Sequence, residues 1–153
     1  MSLTTTQYKL FAKNVYKYTE NEHSKHYLQM LMFEHIGKLA CLIADAMVDN
    51  FNADSKSETF KVLGEILFVA ALQTEFEKLP KSFEVGNEHL NTDDLPDFIS
   101  MMVMSEGFLG DYAGRNFFNA CVIIKIMGYS PVKVAEANIA RLQKVTAPKS
   151  GLN

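Results

Sequence analysis

In the stretch TQYKLFAKNVYKY, Tyr8, Phe11, Ala12, Val15 and Tyr18 recur three and four residues apart, while Lys9, Lys13 and Lys17 fall on the opposite face. That is the period of a helix with one buried stripe, and the lysines are expected to form a solvated face. The same period continues through almost the whole chain. A second helix is expected from about Tyr27 to Asp49. It is apolar around most of its circumference, with Glu34, Lys38, Asp45 and Asp49 on one stripe. The polar connection NFNADSKS offers Ser55 or Ser57 as an N-cap for a third helix from about Glu58 to Lys78, which stops before Pro80. After the loop KSFEVGNEHLN, the acids and proline of TDDLPDF suit a helix start leading into ISMMVMSE. GFLGDYAG breaks or bends that helix. Another helix, Tyr112 to Met127, ends at Gly128. Ser130 then caps a last helix that has Pro131 at its first position and runs to about Val145. No segment alternates apolar and polar residues with hairpin chemistry. The expected fold is therefore all-α, a bundle of five to six helices, with 1–145 as a single domain and 146–153 as a flexible tail.

Composition narrows the class of partner. A net charge of -3 and a pI near 5.8 argue against wholesale affinity for nucleic acid or anionic membrane. No basic-then-apolar leader opens the chain and no apolar run is long enough to span a bilayer, so a cytoplasmic location is expected. Cys41 and Cys121 lie in apolar helical patterns without a CxxC partner, which reads as buried, inert thiols in a reducing compartment. Glu20-x-x-His23 has the spacing of one di-iron ligand pair but lacks the second pair. Gly107, Gly110 and Gly114 are followed by no Gly-Lys-Ser/Thr and so form no phosphate loop. ISMMVMSE suits either the core or an adaptable helix interface.

One side chain stands out. In KVLGEILFVAAL, Glu65 sits directly before an unbroken apolar run, from Ile66 to Leu72, that offers a carboxylate nothing to pair with. An unpaired buried carboxylate is costly. Glu65 must reach water, meet a cation, or hold a metal.

The closing segment GYSPVKVAEANIARLQKV resembles that of MazG-like nucleotide pyrophosphohydrolases, in which a Gly-x-Ser turn leads into a helix with an Asn followed three residues later by Lys or Arg. TTTQYKLFAKNVYKY is similar to the opening helix of that family, FEHIGKLACLI to its second, and FKVLGEILFVAAL to its third. The matching pieces cover about half of the chain. Residues 81–114 have no counterpart and would be an insertion.

The resemblance implies two pairs of acids, ExxE on one helix and ExxD on the next, each pair on one helix face. Such a set holds Mg²⁺ and supports hydrolysis of a nucleoside triphosphate to a monophosphate and pyrophosphate. Carried over, the four positions fall on His35, Lys38, Val62 and Glu65, so three of the four acids are missing. Glu34 and Glu65 remain as weak candidate metal ligands, and Mg²⁺ is a cofactor only if the site works. Lys38, Asn138 and Arg141 are candidate phosphate-binding residues. Lys38 can instead pair with Glu65, or its ammonium can stand where the metal would be and contact phosphate directly. A second register places the third motif at GFLGDYAG and keeps Asp111. Two functions follow: a nucleotide-binding relative of the pyrophosphohydrolases with hydrolysis weak or lost, or a non-catalytic helical oligomerisation or interaction module. The resemblance also implies a homo-oligomer. Glu65 is expected to pair with Lys38 or a neighbouring base.

Overall fold

The structure is a computed structural model and describes residues 2–16, 22–51, 56–86, 89–107 and 113–146. Among these residues there are six α-helices and no strand: α1 (Thr5–Tyr16), α2 (Glu22–Val48), α3 (Lys56–Gln73), α4 (Leu95–Gly107), α5 (Ala113–Ile126) and α6 (Pro131–Thr146). Short 3-10 turns at Phe76–Lys78 and Thr92–Asp94 punctuate the link from α3 to α4. The fold is the expected all-α bundle.

Helix α3 lies at the centre, packed by α1, α2, α5 and α6, while α4 closes the far side against α2 and α5. From Val62 to Gln73 no residue of α3 is exposed. Leu63, Ile66, Leu67 and Ala70 are fully buried, together with Met32 and Leu39 of α2, Phe117 and Ile123 of α5 and Ala135 of α6. Tyr8, Phe83 and Phe117 form an aromatic cluster with ring centroids 5.8 to 6.4 Å apart. Their apolar area supplies the non-directional part of the stability.

Several local expectations need correction. Helix α3 stops at Gln73, short of Lys78, and side chains meet its last carbonyls. The Thr74 hydroxyl donates to the Ala70 carbonyl at 2.7 Å, and Lys9 Nζ donates to the Ala71 carbonyl at 2.8 Å. Lys9 is therefore not on a solvated face. It is 3% exposed, caps the buried end of α3 and lies over the Phe76 ring at 5.1 Å. Lys13 reaches the same ring at 5.6 Å; Lys17 lies outside the described residues. Ser57 falls inside α3 and so is not its N-cap, and Ser55 is outside the described residues. Cys41 is exposed, whereas burial pushes the Cys121 thiol up to about 12. ISMMVMSE is split: Met102 is buried, but Met101, Val103 and Met104 are exposed. Of the expected tail 146–153, Thr146 instead ends α6, and 147–153 lie outside the described residues.

Asn91 and Asp94 form a capping box ahead of α4, beginning one residue before the TDDLPDF stretch expected to start that helix. Other local expectations hold. Gly128, at φ +90°, closes α5 in the left-handed region that glycine adopts without strain. Ser130 Oγ accepts from the Lys133 amide at 3.4 Å.

A buried polar cluster ties four helices together. Glu106 of α4 is 3% exposed. Its carboxyl accepts from Gln73 Nε2 of α3 and, at 2.7 Å, from Asn116 Nδ2 of α5. Its main-chain carbonyl accepts from Gln29 Nε2 of α2 at 2.6 Å. Ser105 Oγ donates to Asn116 Oδ1 at 2.8 Å. These donors to Glu106 are all neutral, so burial dominates and raises its pKa from 4.5 to about 7. A raised folded pKa means that the stability linked to this group is complete below 4.5 and is lost as pH rises through 7. The full loss is about 3 kcal/mol. Glu106→Gln is expected to abolish that loss, since an amide stays neutral and can donate to Gln73 Oε1, which has no donor among the described residues. Urea unfolding should find the variant more stable than wild type at pH 8, by up to about 3 kcal/mol, and close to it at pH 5. An equal difference at both pH values would contradict the assignment.

Candidate functional site

The site begins with a glycine. A Cβ on Gly64 would stand 3.2 Å from Asn138 Cβ, so the backbone of α3 and the side chains of α6 meet here more closely than any larger residue would allow without a shift. Tyr8 joins them from α1: its hydroxyl donates to Asn138 Oδ1 at 2.7 Å, with the Gly64 carbonyl at 3.5 Å. Complete burial raises the Tyr8 phenol well above its ordinary pKa, so it stays a donor. Asn138 is 2% exposed, and its Nδ2 has no acceptor among the described residues. That is an unusual condition for a buried amide.

Glu65 follows Gly64 and answers the question its position raises. Its Oε2 lies 3.1 Å from His35 Nδ1 of α2, and its Oε1 lies 3.8 Å from an Arg141 guanidinium nitrogen of α6. The His35 contact is the main reason its carboxyl stays below the ordinary 4.5. Partial burial opposes that effect, and the charges of His35, Arg141 and Lys61 reinforce it. The partner is thus a base, but not Lys38. Lys38 is exposed and pairs with Glu34, one turn earlier on the same helix, at 3.4 Å. Its short route to Glu34 along the α2 surface displaces the expected reach across to α3.

Around these residues opens a cavity of about 580 Å³, within the range of small-molecule sites. Lys38 contributes from α2. Ser57, Glu58, Phe60, Lys61, Val62, Gly64 and Glu65 contribute from α3, and Val134, Ala137, Asn138 and Arg141 from α6. Lys38, Asn138 and Arg141, the three residues singled out in the sequence for phosphate contact, therefore share one cavity. Lys61 and Phe60 join them; both open the segment FKVLGEILFVAAL, four and five residues before Glu65, but neither occupies one of its acid positions.

The residues present do not fit the Mg²⁺ that the resemblance implies. A Mg²⁺ site needs oxygen ligands at short range in near-octahedral array. Here Glu65 is held between two bases and Glu34 is paired with Lys38. Among the described residues no group of three or more His, Cys, Asp or Glu is placed to hold a metal ion. Glu106 sits in its own neutral network with Gln73 and Asn116. Asp111, with the second register it would support, lies outside the described residues, as does Glu20 of the Glu20-x-x-His23 pair.

Scans of protein-family models, of curated proteins and of solved structures found no match to this chain.

The two ion pairs should separate sharply in energy. Glu65→Gln is expected to cost about 1–3 kcal/mol in chemical denaturation at pH 7, because it leaves His35 and Arg141 facing each other without the intervening charge. Lys38→Met, at an exposed pair, should cost under about 0.5 kcal/mol. Since the Glu65 pKa is lowered, the difference between wild type and Glu65→Gln should persist above pH 4.5 and vanish as pH falls below it. A Lys38→Met loss equal to that of Glu65→Gln would contradict the pairing.

Proposed function

We propose that this protein binds a nucleotide, or a closely similar phosphate ester, in the cavity between α2, α3 and α6, and does so without a metal. What carries the proposal is the convergence of Lys38, Asn138 and Arg141 on one cavity whose buried Asn138 Nδ2 lacks an acceptor among the described residues. A phosphate or sugar oxygen supplies that acceptor. Lys38, Lys61 and Arg141 supply the countercharge, Arg141 as a planar fork and the lysines as point charges. Phe60, Val62, Val134 and Ala137 give the cavity an apolar wall for a base. Phe60 is braced edge-on by Tyr129, with ring centroids 5.4 Å apart.

In this proposal Glu65 orients Arg141 and competes with the ligand for it. A contact of 3.8 Å is a loose hold, and a phosphate can take over the guanidinium. Hydrolysis is not part of the proposal, because the carboxylates that would gather Mg²⁺ around a triphosphate are replaced by His35 and Lys38 and by Val62.

A second proposal rests on a different surface. Tyr27 and Met30 of α2 are 52% and 58% exposed, and Met104 of α4 is 62% exposed. Adaptable apolar side chains of this kind favour a helix interface, so self-association through the α2 and α4 side is the alternative function.

Thermal unfolding with a panel of nucleotides in EDTA tests the first proposal. A binder present at ten times its Kd should raise Tm by about 3–6 °C. Arg141→Gln should remove the shift, and Glu65→Gln should enlarge it by freeing Arg141. A shift that appears only with Mg²⁺ and is abolished by Glu65→Gln would overturn the metal-free site. No shift with any phosphate ester, together with a concentration-dependent oligomer in light scattering, would favour the interaction module.

A further inference from the structure

The charges that line the cavity restrict how many phosphates it can take. Lys38, Lys61 and Arg141 face Glu58 and Glu65, and these lining side chains leave one net positive charge. Two of the three cations are already engaged. Lys38 holds Glu34 at 3.4 Å and Arg141 holds Glu65 at 3.8 Å. Among the described residues, Lys61 alone of the three has no carboxylate within ion-pair distance, and it stands exposed at the cavity mouth. A phosphate monoester carries about −1.5 to −2 charges at neutral pH. Arg141 and Lys61 together match that charge. Each further phosphate adds at least one negative charge, and the one further cation that lines the cavity, Lys38, is held by Glu34 at 3.4 Å. Glu58 and Glu65 would then face the added phosphates as like charges at short range, which disfavours them.

We infer that the ligand is a nucleoside monophosphate, or another organic phosphate monoester, selected against the triphosphate by the carboxylates Glu58 and Glu65. This rests on the proposed metal-free nucleotide site and specifies which phosphate class it takes. The organic part faces the apolar wall around Phe60, the phosphate faces Arg141 and Lys61, and Asn138 Nδ2 contacts an oxygen of the ligand. The carboxylates thus act as a filter on charge as well as an anchor for Arg141.

Isothermal titration in EDTA with the mono-, di- and triphosphate of one nucleoside reads the selection directly. Bases are tried in turn until one member of a series binds. The monophosphate should bind about tenfold or more tightly than the triphosphate, with the diphosphate between them. Glu58→Gln, at an exposed position, should narrow that ratio several-fold by making the cavity more positive. Lys61→Gln should weaken the monophosphate about tenfold. A triphosphate that binds wild type more tightly in EDTA, or a ratio unmoved in Glu58→Gln, would overturn the inference while leaving a nucleotide site in place. Failure of every nucleotide to bind would overturn the site itself.

Discussion

Water reaches almost none of α3 beyond Lys61, and the rest of the molecule is arranged around that fact. A helix buried on all sides can hide apolar side chains without difficulty, but each polar atom along it must find a partner inside the protein. At its C-terminal end the carbonyls of Ala70 and Ala71 are met by Thr74 and Lys9. Gln73 is joined to Glu106 across to α4. In the middle, Glu65 is met by His35 from α2 and Arg141 from α6. Helices α1, α2, α4 and α6 each provide a polar contact to α3 as well as apolar area. Those contacts fix its position along and around its axis in a way that non-directional burial alone does not.

The same constraint produces the cavity. Gly64 lets α6 approach closely, and the Tyr8–Asn138 hydrogen bond holds the approach from below. On the N-terminal side of that contact the cavity is lined by Ser57, Glu58, Phe60, Lys61 and Val62 of α3, with Lys38 of α2 and Arg141 of α6. The cavity is therefore an outcome of core packing, and a change at Tyr8 or Gly64, neither of which is charged, would alter its shape. Its lining charges are mixed: Lys38, Lys61 and Arg141 stand with Glu58 and Glu65.

Much of this was legible in the residues and some was not. Helical period, the TDDLPDF helix start, the Gly128 stop and the Ser130–Pro131 start are local features, and each appears where its chemistry places it. That Glu65 needs a partner also followed from its apolar surroundings. Which base would serve did not, because the choice depends on how α2 is rotated and on whether Glu34 competes for Lys38. Lys9 was misjudged for a related reason. A lysine on the polar face of an isolated amphipathic helix looks solvated, and only the arrival of a buried helix end beside it makes it a cap. The partners of Glu106 and of the Tyr8 hydroxyl gave no signal, since they come from other helices. The resemblance to MazG-like pyrophosphohydrolases directed attention to Lys38, Asn138 and Arg141, which do share a cavity. The metal that family uses, however, has no adequate set of ligands among the described residues.

Internal bases in place of a metal are the central feature of this site, and manganese makes a direct probe of it. Mn²⁺ prefers the same oxygen donors as Mg²⁺ and broadens the NMR signals of nuclei near it. Titrating the isotopically labelled protein with Mn²⁺ at substoichiometric to millimolar levels should leave the His35 ring and Arg141 side-chain signals no broader than those of exposed residues remote from α3. Selective, saturable broadening of these signals, lost in Glu65→Gln, would show that a cation does sit between α2 and α3, and that His35 and Arg141 only neighbour a metal ligand.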